Sequence, residues 1–143
     1  MTVLHPDQAS PARAEAAFAF LADLGFRLGD RGATGGQSFR DGWRLVYSAP
    51  TLTVTVQYLD VQFEVLFARA GVDVDYLFID RELFGGRGGL HGNMFPPQNV
   101  GEVIGRVASH IREHFSSILL GDDNEWARIK RLLEAPKAKA RLP

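Results

Sequence analysis

A stretch in the middle of the chain alternates between apolar and polar residues, and this period of two constrains the fold more than any other feature. Apolar residues take every second position in two successive runs, Leu52, Val54, Val56 and Tyr58, then Val61, Phe63, Val65 and Phe67. Successive side chains of a β-strand point to opposite faces of its sheet. The pattern therefore predicts antiparallel strands with one apolar and one polar face.

Turn lengths can be chosen so that the apolar faces of neighbouring strands coincide. A two-residue turn pairs Tyr58 with Val61, and a four-residue turn around Pro50 keeps Tyr47 and Val54 on one face. Because a shift of one residue would turn every side chain to the other face, this shared parity supports a single sheet.

The same argument extends the meander at both ends. A three-residue turn at 40–42 places Phe39 opposite Trp43, and a further strand over 74–79 follows a turn at 70–73. We therefore expect an antiparallel meander of four to five strands.

Helical spacing precedes the strands. Ser10 and Pro11 predict the start of an N-terminal helix that ends at Gly25. A short strand at 26–28 and a glycine-bearing loop at 29–36 are expected to connect this helix to the meander.

Two capping boxes predict C-terminal helices that cover the apolar face of the sheet. Asn99 and Glu102 open the longer helix, while Asp122 and Glu125 open a shorter one that stops before Pro136. The longer helix carries a continuous apolar stripe, Val100, Ile104, Val107, Ile111, Phe115 and Ile118. The predicted fold class is α+β, with an N-terminal helix and C-terminal helices on one face of the sheet.

Composition limits the chemistry and the environment of the chain. Its 143 residues suit one domain over 1–136 with a frayed tail over 137–143. The chain contains no cysteine, so disulfides and thiolate metal sites are excluded. Without a secretory signal or a run of roughly 20 apolar residues, we expect a cytoplasmic protein that contacts no membrane.

Charge and motifs give no support for nucleic acid or for catalysis. The net charge is −1, although residues 126–143 carry six Lys or Arg and one Glu. No nucleic-acid-binding motif accompanies this basic end, so no nucleic-acid partner is expected. The serines lack a G-x-S-x-G elbow, which favours a non-enzymatic role, and no cofactor is predicted.

One helical segment contains a candidate metal motif. His110, Glu113 and His114 match the H-x-x-E-H pattern of inverted zinc peptidases, which places two imidazoles one turn apart on a helix. Zinc needs a third protein ligand, for which Asp122, Asp123 and Glu125 are weak candidates. Alternatively, both histidines border the apolar stripe as ordinary half-buried residues. The match is too short to predict a metal site by itself.

A glycine-rich loop over 85–93 is a candidate contact surface. It contains Arg87, His91 and Asn93 among five glycines, and its backbone amides could face an anion. The spacing fits neither a dinucleotide fingerprint nor a P-loop. Long connections of this kind are either functional or mobile, so these three residues are predicted to contact a ligand or partner.

Acidic residues gather around the last predicted strand. Asp73, Asp75, Asp80 and Glu82 could hold a basic partner or a hard cation. As an alternative, Asp73 and Asp75 are a solvated strand edge that discourages aggregation.

The order of elements resembles that of small uncharacterised bacterial α+β proteins, some of which resemble toxin-immunity proteins. The resemblance spans nearly the whole chain and is carried by three segments, Phe20-Leu21 to Gly25-Phe26, Tyr47-Ser48, and Ile118-Leu119-Leu120-Gly121-Asp122. It implies a protein that acts by binding, and it assigns no functional residue.

Two functional hypotheses follow. The first is a non-enzymatic protein-binding domain of the immunity or inhibitor type, which uses Asp73 and Asp75 or the glycine-rich loop. The alternative is a small-ligand or metal-binding domain, or an enzyme, with its site between loop 85–93 and the helix that carries His110 and His114. A homodimer through an exposed sheet edge is compatible with either hypothesis.

Overall fold

A computed structural model describes residues 11–33, 42–59, 62–86 and 97–135 of the chain. Within these residues, five strands form one antiparallel sheet in sequence order. The strands are β1 (Arg27–Ala33), β2 (Trp43–Ser48), β3 (Thr53–Leu59), β4 (Gln62–Arg69) and β5 (Val72–Asp75). The predicted α+β class and antiparallel meander are confirmed.

Of the predicted turns, the one around Pro50 is confirmed and the next is wrong. Tyr47 lies opposite Val54, with four residues between Ser48 and its partner Thr53. Between β3 and β4, however, Tyr58 pairs with Phe63 rather than with Val61. A shift of two residues keeps every side chain on its face, so the apolar pattern could not distinguish the two registers.

The first strand is longer than predicted. β1 continues to Ala33 through part of the expected loop at 29–36, with a register shift between Leu28 and Asp30. Glycine weakens a strand but does not prevent backbone pairing, and it suits such an irregularity. Ala33 is the β1 partner of Trp43, so the predicted pairing of Trp43 with Phe39 is wrong, and Phe39 itself lies outside the described residues.

The described helices lie before and after the sheet. They are α1 (Pro11–Ala17), α2 (Phe20–Asp23), α3 (Tyr76–Phe84), α4 (Pro97–His114), α5 (Ser116–Leu119) and α6 (Asp123–Glu134). The predicted cap of α6 is confirmed, because the Glu125 amide donates to Asp122 Oδ1 at 2.9 Å. No helix of the described chain has the length and apolarity needed to cross a membrane.

Two predicted helix boundaries are wrong. The N-terminal helix is interrupted between α1 and α2, where the Leu21 amide bonds to the Phe18 carbonyl three residues back. This tighter turn lets both Phe18 and Leu21 reach the core, where neither is exposed. At the other end, α4 starts at Pro97, two residues before the predicted cap Asn99, since proline suits the first helical turn.

One hydrophobic core joins the sheet to the helices. The alternating strand residues Trp43, Leu45, Tyr47, Val54, Val56, Tyr58, Phe63, Val65 and Phe67 are buried in it. All six residues of the predicted helical stripe are buried in the same core, although α4 ends at His114 and the last two belong to the segment that follows. α1 is tied to α4 by a hydrogen bond from Arg13 Nη2 to the Gly101 carbonyl at 3.3 Å.

Candidate functional site

The third helix was not predicted, and it brings the candidate site together. The sequence pattern indicated a strand over 74–79, but the strand stops at Asp75 and α3 begins at Tyr76. Asp75 caps the helix by accepting the Phe78 amide at 2.8 Å, and Gly85 ends it with a φ of 66°. An N-cap aspartate and a C-terminal glycine are both visible in the sequence, so these signals could have identified the helix.

α3 and α4 form a buried histidine cluster, by which we mean Tyr76, Asp80, Phe84 and His110. The Tyr76 hydroxyl and His110 Nδ1 are 2.7 Å apart and share a hydrogen bond. Asp80 lies one turn after Tyr76 with only 2% of its surface exposed, and its Oδ1 is 3.9 Å from the same nitrogen. The cluster thus holds a phenol, an imidazole and a carboxyl group away from water.

Burial keeps the tyrosine and the histidine of this cluster uncharged near neutral pH. Desolvation lowers the pKa of His110 below its usual value, although the Asp80 carboxylate acts in the opposite direction. Desolvation, together with the Asp80 charge, raises the pKa of Tyr76. The hydrogen bond between them therefore joins two neutral groups, and their relative donor and acceptor roles follow the imidazole tautomer.

Aromatic rings close the cluster on the side where the glycine-rich loop begins. Phe84 stacks on Phe115 with ring centroids 5.1 Å apart, and it lies 5.5 Å from the His110 ring and 6.0 Å from the His114 ring. The residue before Gly85 is therefore beside both histidines. The predicted contact residues Arg87, His91 and Asn93 lie outside the described residues.

The metal motif does not form a complete ligand set within the described residues. The rings of His110 and His114 are 5.0 Å apart, but His110 Nδ1 is engaged by Tyr76. Glu113 lies 3.9 Å from His114 Nε2, and both side chains are more than half exposed. Among the described residues, no three histidine, aspartate or glutamate side chains are grouped to hold a metal ion.

The second candidate region is an acidic edge, which we define as Glu64, Asp73 and Asp75 on β4 and β5. Asp73 lies opposite Ala68 and Asp75 opposite Leu66, so both share the face that carries Glu64. This is the face turned away from the core, since Phe63, Val65 and Phe67 of β4 are buried. The predicted residues Asp73 and Asp75 are thus brought together with Glu64, whereas Asp80 points into the protein.

Glu64 is held in place by a row of polar side chains across three strands. Arg44 Nε donates to Gln57 Oε1 at 3.1 Å, and Gln57 Nε2 donates to Glu64 Oε1 at 2.7 Å. These three residues are direct cross-strand partners. Glu64 was missed as a candidate because its place beside Asp75 depends on the β3–β4–β5 register, which the sequence pattern left ambiguous.

A small cleft opens beside the acidic edge, at the point where β5 ends. Its volume is about 10 Å³, and it is lined by Phe63, Glu64, Val65, Asp75, Tyr76, Leu77 and Val107. Five of these side chains are apolar or aromatic, and the two carboxylates belong to the acidic edge. The cleft also connects the two candidate regions, because Tyr76 lines it and bonds to His110.

Comparison with known proteins gives no relationship on which a function could rest. The chain matches no family model, no curated protein and no solved structure at a significant level. Its function can therefore be inferred only from its residues and their geometry.

Proposed function

We propose that this chain is a non-enzymatic protein-binding domain that recognises a basic partner through the acidic edge. The observation that supports the proposal is the placement of Glu64, Asp73 and Asp75 on one outward face of the β4–β5 edge. Clustered carboxylates favour a partner that carries lysine or arginine, because complementary charge steers association and selects partners.

The surroundings of the acidic edge favour recognition over a purely solubilising role. Glu64 is fixed by the hydrogen-bonded row that starts at Arg44, so its carboxylate is ordered before a partner arrives. Ordered side chains lose less entropy on binding than free ones.

An inhibitor of the immunity type that binds a basic effector is the form of this function that we propose. This form of the proposal is supported by the resemblance in element order and by the negative charge of the acidic edge. The buried histidine cluster then has a structural role, since Asp80 and Tyr76 lie inside the protein while Asp73 lies on its surface.

Charge-neutralising variants test the proposal against short synthetic peptides. In the double variant Glu64→Gln and Asp73→Asn, we expect a lysine-rich peptide to bind about tenfold more weakly than it binds the native protein. Asp75 is left unchanged because it caps α3. Calorimetry at two salt concentrations measures the affinities, and the attraction should weaken as salt rises.

The matched control neutralises two carboxylates elsewhere. Glu102 and Glu113 on α4 are exposed, and the double variant Glu102→Gln and Glu113→Gln changes the net charge equally. It should bind the peptide as the native protein does. Equal weakening in both double variants would mean that only net charge matters and would refute the acidic edge as the binding surface.

A further inference from the structure

We propose that the outward face of the sheet binds a second copy of this chain and forms a symmetric dimer. By the outward face we mean the side of β1 to β5 that points away from the core. The inference goes beyond the proposed function and adds a means of regulation, because the acidic edge is part of this face. A second copy seated there competes with the basic partner for the same carboxylates.

The described helices all pack on the other side of the sheet. Each of them contributes buried residues to the single core, together with the strand residues that point to that side. Val46 and Leu66 point away from it. Both are only partly buried, and they belong neither to the core nor to the partly buried residues packed against it. Apolar side chains outside the core are available to contact another molecule.

The middle of the outward face is uncharged and flat enough for another sheet to approach. Two rows of side chains cross β2, β3 and β4 there, Val46, Thr55 and Leu66, and beside them Ser48, Thr53 and Ala68. Stacked sheets lie about 10 Å apart, and short side chains of this kind allow that separation.

Charges of opposite sign lie on the two sides of this uncharged middle. Arg27 on β1 and Asp73 on β5 are both exposed and form the two ends of the second row. Arg44 on β2 and Glu64 on β4 face the same way on either side of β3. Four strand spacings, about 19 Å, separate Arg27 from Asp73, so they cannot pair within one chain. Among the described side chains, the outward face thus has a basic half and an acidic half.

These charges select both the occupant and its orientation. A two-fold axis parallel to β3 sets β1 of one copy over β5 of the other, so that Arg27 meets Asp73 and Arg44 meets Glu64. An axis across the strands sets basic half on basic half, which like-charge repulsion disfavours. A basic partner matches only the acidic half of the face, whereas a second copy matches both halves. Closed dimers that use the same patch on both copies are the commonest oligomers.

The area of the face sets the strength of the dimer. Five strands of this length cover about 500 Å² on each copy, so the dimer buries about 1,000 Å² in total. That area is at the lower end of the range for specific interfaces. We therefore expect a dimer that dissociates reversibly, with a dissociation constant of about 10 μM.

Sedimentation velocity at protein concentrations from about 1 to 200 μM tests the dimer. The native chain should change from monomer to dimer over this range. Arg27→Asp alone, or Asp73→Arg alone, places like charges over each other twice in the dimer, so each should weaken association at least tenfold. Both positions are exposed, and circular dichroism checks that each variant is folded.

Restoration by charge exchange is the arm that a misfolded variant cannot imitate. A mixture of the Arg27→Asp and Asp73→Arg chains places opposite charges over each other at both pairs, so it should associate about as tightly as the native chain. Glu113→Arg is the matched control, because it makes the same charge change as Asp73→Arg at an exposed position on α4. It should leave association unchanged.

The outcomes distinguish this inference from the proposed function. A native chain that stays monomeric throughout overturns the dimer, and so does a mixture that associates no better than either folded variant. If such a monomeric chain binds the lysine-rich peptide, the proposed function remains. Arg27→Asp keeps the acidic edge intact. If the native chain dimerises but monomeric Arg27→Asp does not bind the peptide, the proposed function is wrong and the dimer remains.

Discussion

The buried histidine cluster and the acidic edge use the same short segment, residues 72–84, yet they treat its carboxylates in opposite ways. Asp80 is almost completely enclosed between helices, whereas Asp73 is exposed on the last strand. A buried carboxylate must be satisfied by its own protein, while an exposed one remains free to meet another molecule. The comparison separates residues that build the fold from residues that can recognise a partner.

The largest expected difference between the two regions is in stability. Replacement of Asp80 by alanine should lower the free energy of unfolding by about 3 kcal/mol, because it breaks a buried polar network. Replacement of Asp73 by alanine should change it by at most about 0.5 kcal/mol, as is usual at exposed positions. Urea denaturation measures both values. Similar losses in the two variants would remove the distinction between the regions.

A smaller effect should follow from the hydrogen bond inside the cluster. Tyr76→Phe keeps the ring but leaves His110 Nδ1 without its hydroxyl partner, which should cost about 1–2 kcal/mol. A double-mutant cycle with His110→Leu tests whether the two side chains act together. If the two losses simply add, the hydrogen bond contributes little and the cluster is held by packing alone.

The smallest effect should be a dependence of stability on pH. Because the folded protein lowers the pKa of His110, unfolded chains bind the proton more readily as the solution is acidified. The stability that neutral His110 contributes should be complete above about pH 6.5, the usual pKa of histidine. It should be lost as pH falls through the lower pKa that His110 has in the folded protein. Asp80 opposes the shift, which limits its size.

The measurement for this prediction is the melting temperature of the native protein between pH 8 and pH 5. His110→Asn should flatten the decline on the acidic side. A decline of the same slope in both proteins would assign the pH dependence to other groups.

Local signals in the sequence predicted much of the fold. The turn around Pro50, the cap at Asp122 and the buried stripe from Val100 to Ile118 depend on neighbours within a few residues, and the structure contains all three. The helix α3 was missed because a local pattern also guided the prediction there. Val74, Tyr76 and Phe78 alternate as in a strand, and this pattern outweighed the capping signal of Asp75.

The candidate sites were only partly accessible from the sequence. Asp73 and Asp75 were identified as an acidic surface, but Glu64 joined them only through the pairing of β4 with β5. His110 was considered as a metal ligand, while one of its actual neighbours, Tyr76, had been placed on a strand and the other, Asp80, just after it. Thirty-four residues separate Tyr76 from His110, and no local pattern reports a contact over that distance.

The sequence by itself determined which residues face the core, because a period of two or of 3.6 sorts side chains by face wherever the chain lies. Only the tertiary structure decided the β3–β4 register, since registers two residues apart bury the same set. It also decided where the chain leaves the sheet at Asp75. That exit shortens β5 and carries Tyr76 to His110, so the buried histidine cluster arises from long-range packing.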